Sequence, residues 1–225
     1  MKVAQVRRMH AGLNPASWSD VQKYLSAKQP KIPDEHHPAL PYVEMPSFMQ
    51  ELRSRHNIAT PALEFCVLTA TRTSETLKAR WSEFDKELTT WTIPAARMGK
   101  TCKEHTVPIS EQARRVLLRQ RERGSEWVFP GYSISRPLAD RSMRWLLSSM
   151  HPTATVHGMR STFRDWGYDL TEFPRELIEQ CLAHKPGAVE GAYRRSDALE
   201  RRRVIMQAWA NHCNLGGPYS VAMAM

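Results

Sequence analysis

The amino-acid sequence predicts a mainly helical α+β fold with a small three-stranded antiparallel sheet, and three observations carry that expectation. From Pro46 onward apolar residues recur at three- and four-residue spacings, first Phe48 and Leu52, then Ala62, Leu63, Phe65, Cys66 and Leu68. That is the period of helices that turn one face to a shared core. Two short runs of β-favouring residues, Trp91-Thr92-Ile93-Pro94 and His105-Thr106-Val107-Pro108, flank Gly99-Lys100-Thr101-Cys102-Lys103, which reads as a hairpin loop. A third strand near Trp81 to Phe84 would complete the sheet. With 225 residues, 41% of them hydrophobic, the chain can bury one good core and carry a small appendage.

The remaining elements follow in order. Residues 1–43 are polar and punctuated by Pro15, Pro30, Pro33, Pro38 and Pro41, so they read as a linker with one short helix over residues 17–27, after the Asn14-Pro15 break. Beyond the hairpin, a helix over residues 110–121 is capped by Ser110 and carries Glu111 in its first turn, where the helix dipole favours a carboxylate. Trp127-Val128-Phe129-Pro130 is an extended piece, and helices are expected over residues 141–149, 158–170, 174–183 and 197–211. Residues 214–225 carry no charge and contain Gly216-Gly217-Pro218, as a flexible or partner-docking tail would.

Charge narrows the partner. A formal charge of +9 and a pI near 9.7 point to a polyanion, either nucleic acid or an anionic membrane surface. No apolar run approaches the length of a membrane span and no apolar leader opens the chain, so nucleic acid is the better expectation. Residues 94–123 hold eight Lys and Arg against three acidic residues, and Arg201-Arg202-Arg203 begins the last helix; both clusters suit contacts to a phosphate backbone. Cys66, Cys102, Cys181 and Cys213 are scattered without a Cys-x-x-Cys pair, which argues against a structural zinc and a disulfide framework and fits a reducing cytoplasm. His36-His37 lacks a third and fourth ligand in range. Neither a metal nor a cofactor is expected.

The chemistry lies in an ordered set of residues. Tyr193 follows His184 by nine residues, His157-Gly158-Met159-Arg160 lies upstream, and Arg72 stands ahead of them in Thr71-Arg72-Thr73-Ser74-Glu75. A tyrosine, two arginines and two histidines are what a metal-free phosphoryl transfer needs: a nucleophile, cations for the charge on phosphorus, and groups that move protons. Arginine suits the cationic role because its fork binds phosphate bidentately and stays charged.

These residues, together with Leu68-Thr69-Ala70, Trp81-Ser82-Glu83-Phe84-Asp85, Ala96-Arg97-Met98, His105-Thr106-Val107-Pro108 and Ser161-Thr162-Phe163-Arg164-Asp165-Trp166, carry a family likeness. From about residue 12 to residue 213 the chain resembles the tyrosine recombinases, specifically the bacteriophage and genomic-island integrases. The resemblance implies a helical catalytic domain of the DNA breaking-rejoining type over residues 44–213. Residues 1–43 would then be a linker remnant from a core-binding domain that is missing upstream, and residues 214–225 a tail through which copies assemble as a homo-oligomer on DNA.

By the same resemblance Arg72 and Arg160 clamp the scissile phosphate. His157 accepts the tyrosine proton or hydrogen-bonds the phosphate, and His184 hydrogen-bonds the transition state. Tyr193, in preference to Tyr168 and Tyr219, forms a 3′-phosphotyrosyl intermediate that conserves the phosphoester bond for religation. A lysine on the hairpin protonates the leaving 5′-oxygen. Here the family's Arg-Met-Lys run reads Arg97-Met98-Gly99-Lys100, with an apparent extra residue, so Lys100 is the candidate and Lys103 its rival. Glu75 either orients one of the arginines or is simply a first-turn carboxylate. The implied function is site-specific DNA recombination. A DNA-binding remnant without activity and a nicking-resealing enzyme resembling type IB topoisomerases are the alternatives.

Overall fold

Proline opens the first two helices of the structure, a computed structural model that describes residues 38–98, 103–184 and 198–215. Helix α1 (Met45–Ser54) and helix α2 (Thr60–Thr69) each carry proline in the first turn, where the missing N–H has no intrahelical partner to lose. α1 buries Met45, Phe48, Met49 and Leu52 on one side, the spacing expected of an amphipathic helix. α2 is buried almost all round, from Ala62 to Thr69, and is the central post of the domain. It packs against α1, helix α4 (Glu111–Arg121), helix α5 (Arg141–Met150) and helix α8 (Leu199–His212). Trp209 of α8 donates its indole N–H to the Val67 carbonyl at 2.9 Å and joins Phe163 and Trp166 in an aromatic cluster.

Ser110 caps α4 as expected, its Oγ accepting from the Ala113 amide at 3.3 Å. The short helix α3 (Thr73–Leu77) follows α2, and helices α6 (Gly158–Leu170) and α7 (Arg175–Cys181) lie between α5 and α8. The expected helices over residues 110–121, 141–149, 158–170, 174–183 and 197–211 thus all occur, with ends shifted by no more than a few residues. The expected helix over residues 17–27 and the His36-His37 pair lie outside the described residues.

The sheet differs from the expectation. Among the described residues it has two strands, β1 (Thr90–Ile93) and β2 (His105–Pro108), antiparallel with Thr90 opposite Pro108 and Ile93 opposite His105. The third strand expected near Trp81 to Phe84 is instead a 3₁₀ turn, Trp81–Glu83, touching its neighbours through single bridges, Arg80 with Trp127 and Phe84 with Trp91. Glu83 explains the turn. Its carboxylate accepts from the Arg80 amide at 3.3 Å, from the Trp91 indole at 2.9 Å and from the Arg97 guanidinium. A residue held from three sides in this way satisfies a local cap and leaves no continuous ladder to form.

Residues 38–40 lie against the start of α6. The Pro38 carbonyl accepts from the Thr155 amide at 3.0 Å, and Thr162 Oγ1 donates to the Leu40 carbonyl at 2.6 Å. The approach is so close that a Cβ on Gly158 would sit 2.0 Å from the Pro38 oxygen. Glycine in the His-Gly-x-Arg block is therefore a packing requirement. Gly158→Ala should lower unfolding stability by about 1–3 kcal/mol, the usual cost of an overpacked contact with backbone that cannot yield. An unchanged urea midpoint would show that residues 38–40 do not pack there in solution.

Candidate active site

Arg72 is placed by the corner between α2 and α3. α2 ends where Ala70 takes a left-handed backbone at φ 51. The turn is braced inside by buried hydroxyls, Thr69 to Thr71 at 2.9 Å and Thr71 to Thr76 at 2.8 Å. Arg72 then leaves in extended backbone as the N-cap of α3. One carboxylate fixes it at two points: Glu75 Oε2 accepts from the Arg72 amide at 2.8 Å and Oε1 from Arg72 Nη1 at 2.6 Å. The two readings of Glu75, first-turn carboxylate and orienting partner, are thus one arrangement. The Glu75 side chain is 3% exposed and that of Arg72 29%, so a buried anion anchors a guanidinium that still reaches the surface.

Arg160, one turn into α6, is the buried counterpart, 5% exposed. Its Nη1 donates to the Ala70 carbonyl, and its Nη2 donates to the Leu182 carbonyl at 2.7 Å and lies 3.3 Å from His184 Nε2. Both carbonyls belong to strained turns, since Ala70 itself and Ala183, which follows Leu182, adopt positive φ. Non-glycine residues rarely take that conformation, and here it aims two main-chain acceptors at one guanidinium. Burial, and next the charge of Arg72, push the Arg160 pKa down to about 10, which leaves it cationic at neutral pH. Arg72 and Arg160 therefore share one locality, with Glu75 partly balancing their charge.

His184 approaches from the end of α7. Its Nδ1 is bonded to Glu179 Oε2, and the other oxygen of Glu179 accepts from the Tyr168 hydroxyl at 2.5 Å. Burial and this hydrogen bond push the Tyr168 pKa up to about 12, so Tyr168 is occupied as a donor and poorly suited to attack. His157 is exposed at the N-cap of α6, and its carbonyl accepts from the Arg160 amide at 3.1 Å, which puts it one turn ahead of Arg160.

Three further residues join the site: Glu179, which no sequence pattern marks, and His105 and Arg97, which lie in blocks that carry the family likeness but have no role assigned from the sequence. His105, at the start of β2, is nearly buried; burial, and then the charge of Arg202, lower its pKa to about 4, and its hydrogen bond to the Cys181 backbone links the hairpin to the end of α7. The alternation of β2 turns His105 inward. Arg97, at the hairpin entrance, donates to the Glu75 carbonyl and to the Glu83 carboxylate, tying the hairpin to the helix that carries Arg72.

Of the cations suggested for a phosphate backbone, Arg202 is withdrawn into the core and Arg203 is partly engaged by the hairpin. Arg202 is fully buried and donates to the Thr106 carbonyl at 2.7 Å, while Arg203 donates to the Thr89 carbonyl at 2.8 Å. Both pin α8 to the hairpin. Arg201 is exposed, as is Lys103. Lys100 and Tyr193 lie outside the described residues. The structure thus brings together Arg72, Glu75, Arg160 and His184, with His157 at the head of the same helix as Arg160. Among the described residues no group of three or more His, Cys, Asp or Glu could hold a metal ion, and no helix is long and apolar enough to cross a membrane.

This fold is that of the tyrosine recombinase catalytic domains. It is similar to a lambda integrase dimer bound to a COC' core site, with a TM-score of 0.56 at 16% identity over 73% of this chain and 64% of that one. It is also similar to XerA recombinase, with a TM-score of 0.53 at 14% identity over 77% of this chain and 64% of that one. The chain belongs to the phage integrase family, whose model matches residues 40–200. Relatives include prophage integrase IntZ of Escherichia coli K12, 32% identical over 88% of this chain and 49% of that protein, and prophage integrase IntA of the same organism, 35% identical over 75% and 42%. The integrase of Enterobacteria phage P4 is 32% identical over 90% and 50%. The chain spans about half the length of the curated relatives it matches.

Proposed function

We propose that the chain is the catalytic part of a site-specific DNA recombinase that cleaves and rejoins double-stranded DNA through a 3′-phosphotyrosyl intermediate. The observation that carries this reading is the convergence of Arg72 and Arg160, each oriented by fixed acceptors, with His184 beside them. A guanidinium holds its donors in one rigid plane, and two of them set in advance suit the charge that builds on a phosphodiester under attack.

In this mechanism the Tyr193 oxygen bonds to phosphorus as the bond to the 5′-oxygen breaks. His157 takes the tyrosine proton, and a hairpin lysine gives a proton to the leaving oxygen. A free tyrosine has a pKa of about 10, so at neutral pH it needs such a base or a strongly cationic setting. Rejoining is the reverse with a new 5′-hydroxyl, so neither ATP nor a metal is needed. Residues 44–213 form the catalytic domain, residues 1–43 are a linker that leads into it, and residues 214–225 dock on a neighbouring protomer when copies assemble on DNA in the cytoplasm. DNA binding by this chain alone is weak and salt-dependent, log K falling with log salt by about 0.9 per phosphate contact.

The reading is tested by incubating the chain with a nicked suicide duplex that traps the covalent adduct, and then by assaying exchange between two DNA molecules. An adduct with exchange is the expected result. No adduct would leave a DNA-binding remnant, and an adduct without exchange a nicking-resealing enzyme. A second assay assigns the acid. If Lys100 protonates the leaving oxygen, Lys100→Ala should cleave normal DNA very slowly and recover on DNA whose bridging oxygen is replaced by sulfur, because a thiolate leaves without a proton. Lys103→Ala should show only a salt-dependent binding defect, and sulfur rescue of that variant in place of the first would transfer the role to Lys103.

A further inference from the structure

His184 can serve a phosphate only if the right ring nitrogen faces it in the right protonation state, and a carboxylate behind the ring controls both. α7 ends at Cys181, and Ala183 then takes φ 52, which turns the chain back so that the His184 amide donates to the Glu179 carbonyl at 3.1 Å. The same turn lays the imidazole on the Glu179 side chain, Nδ1 against Oε2. Tyr168, reaching across from α6, donates its hydroxyl to Oε1 at 2.5 Å and so holds the other side of the carboxylate.

An ionised carboxylate only accepts, so the proton between Glu179 and His184 belongs on Nδ1. Tyr168 and His184 supply the hydrogen bonds that keep Glu179 ionised: burial alone would raise its pKa, and the two bonds hold it below the ordinary carboxylate value. In the neutral ring Nε2 is then an acceptor, which agrees with its place 3.3 Å from a nitrogen of Arg160 that can only donate. A lone pair at Nε2 repels a phosphate oxygen. For His184 to help a bound phosphate, Nε2 must present a proton, and the Glu179 carboxylate lies on the opposite nitrogen, where its charge faces the ring. The groups facing this pair are Tyr168, Arg160 and Arg164 of α6, with Arg175 of α7 lying 4.7 Å over the Tyr168 ring. The arginines oppose a further positive charge, so Glu179 is the group that offsets them.

We propose, on the footing of the recombinase reading, that Glu179, braced by Tyr168, is a positioning residue that holds His184 as the Nδ1–H tautomer and lets Nε2 take up a proton when a DNA phosphate docks beside Arg160. Such a role separates two properties that a merely structural residue would not touch, the tautomer of one ring and the alkaline limit of cleavage.

The test uses the full chain with ¹⁵N-labelled histidine and the nicked suicide duplex. In the unmodified chain the His184 nitrogens should report a protonated Nδ1 and a bare Nε2. Glu179→Ala should shift the ring toward the Nε2–H form. Glu179→Gln removes the charge and leaves one side-chain oxygen, which can accept from Nδ1 while the Tyr168 hydroxyl turns to accept from the amide NH2, so the tautomer should persist while the alkaline limb of the cleavage–pH profile moves to lower pH. A thermal melt confirms that each variant is folded, and if the alanine variant is not, the glutamine variant decides. A bare Nδ1 in the unmodified chain, or a glutamine variant whose pH profile matches that of the unmodified chain, overturns the proposal. The nitrogen shifts need no DNA cleavage. An unmodified chain that forms no adduct would therefore defeat the recombinase reading, and the tautomer alone would then decide the role of Glu179.

Discussion

The Tyr193→Phe chain should bind duplex DNA almost as well as the unmodified chain and form no covalent adduct at all. Phenylalanine keeps the ring and its packing and deletes only the oxygen that would bond to phosphorus, so the loss falls on one chemical step. Binding rests on other groups, chiefly cations that contact phosphates whatever the residue at 193. Tyr168 cannot take over, because its hydroxyl is already committed to Glu179 and its pKa has been pushed up to about 12 by burial and by that bond. The measurement is a denaturing gel of protein trapped on nicked suicide DNA, beside a retardation assay on the same duplex. An adduct that persists in the phenylalanine variant would place the nucleophile elsewhere.

Replacing Arg160 should be the most damaging change among the described residues, because it acts on fold and chemistry together. Its guanidinium spans the Ala70 carbonyl at the end of α2 and the Leu182 carbonyl at the end of α7, both at turns with left-handed backbone. Arg160→Ala would orphan two buried acceptors and release the turn that carries His184, at a stability cost on the order of 3 kcal/mol. It would also remove preorganised charge from the phosphate, for which a loss of about a hundredfold or more in single-turnover cleavage is expected. Arg160→Lys tests the geometry separately from the charge. A single ammonium cannot span both carbonyls and a phosphate, so it should stay well below the unmodified rate even though its charge is kept. A change of less than about threefold in cleavage for the alanine variant would contradict the assignment of Arg160 to the phosphate.

Arg72 offers the informative contrast. Its side chain is partly exposed and, among the described residues, rests on buried Glu75, so its removal should damage cleavage as much while leaving the α2–α7 connection intact. The buried Glu75 carboxylate would retain the backbone amide of residue 72 as a partner.

What the sequence determined by itself is local. Helical spacing located α1, α2 and the five later helices; Ser110 marked the start of α4, and β-branched and aromatic runs marked the two hairpin strands. Each of these depends on neighbours a few residues away, which a linear pattern records directly. The blocks around Arg72, His157, Arg160 and His184 were legible as an ordered set, through their resemblance to the tyrosine recombinases. Tertiary structure decided the rest. Trp81 to Phe84 has strand-like composition, yet a strand exists only where a partner offers a ladder, and Glu83 was claimed instead by Arg97 and the Trp91 indole. Arg202 resembles its neighbour Arg201 in sequence, but one is buried beneath β2 and the other exposed. The acceptors of Arg160 lie 90 and 22 residues away, and the tyrosine that braces Glu179 lies on a different helix. Periodicity states which face of a helix turns inward; only packing brings together the polar groups that must satisfy one another once they are there.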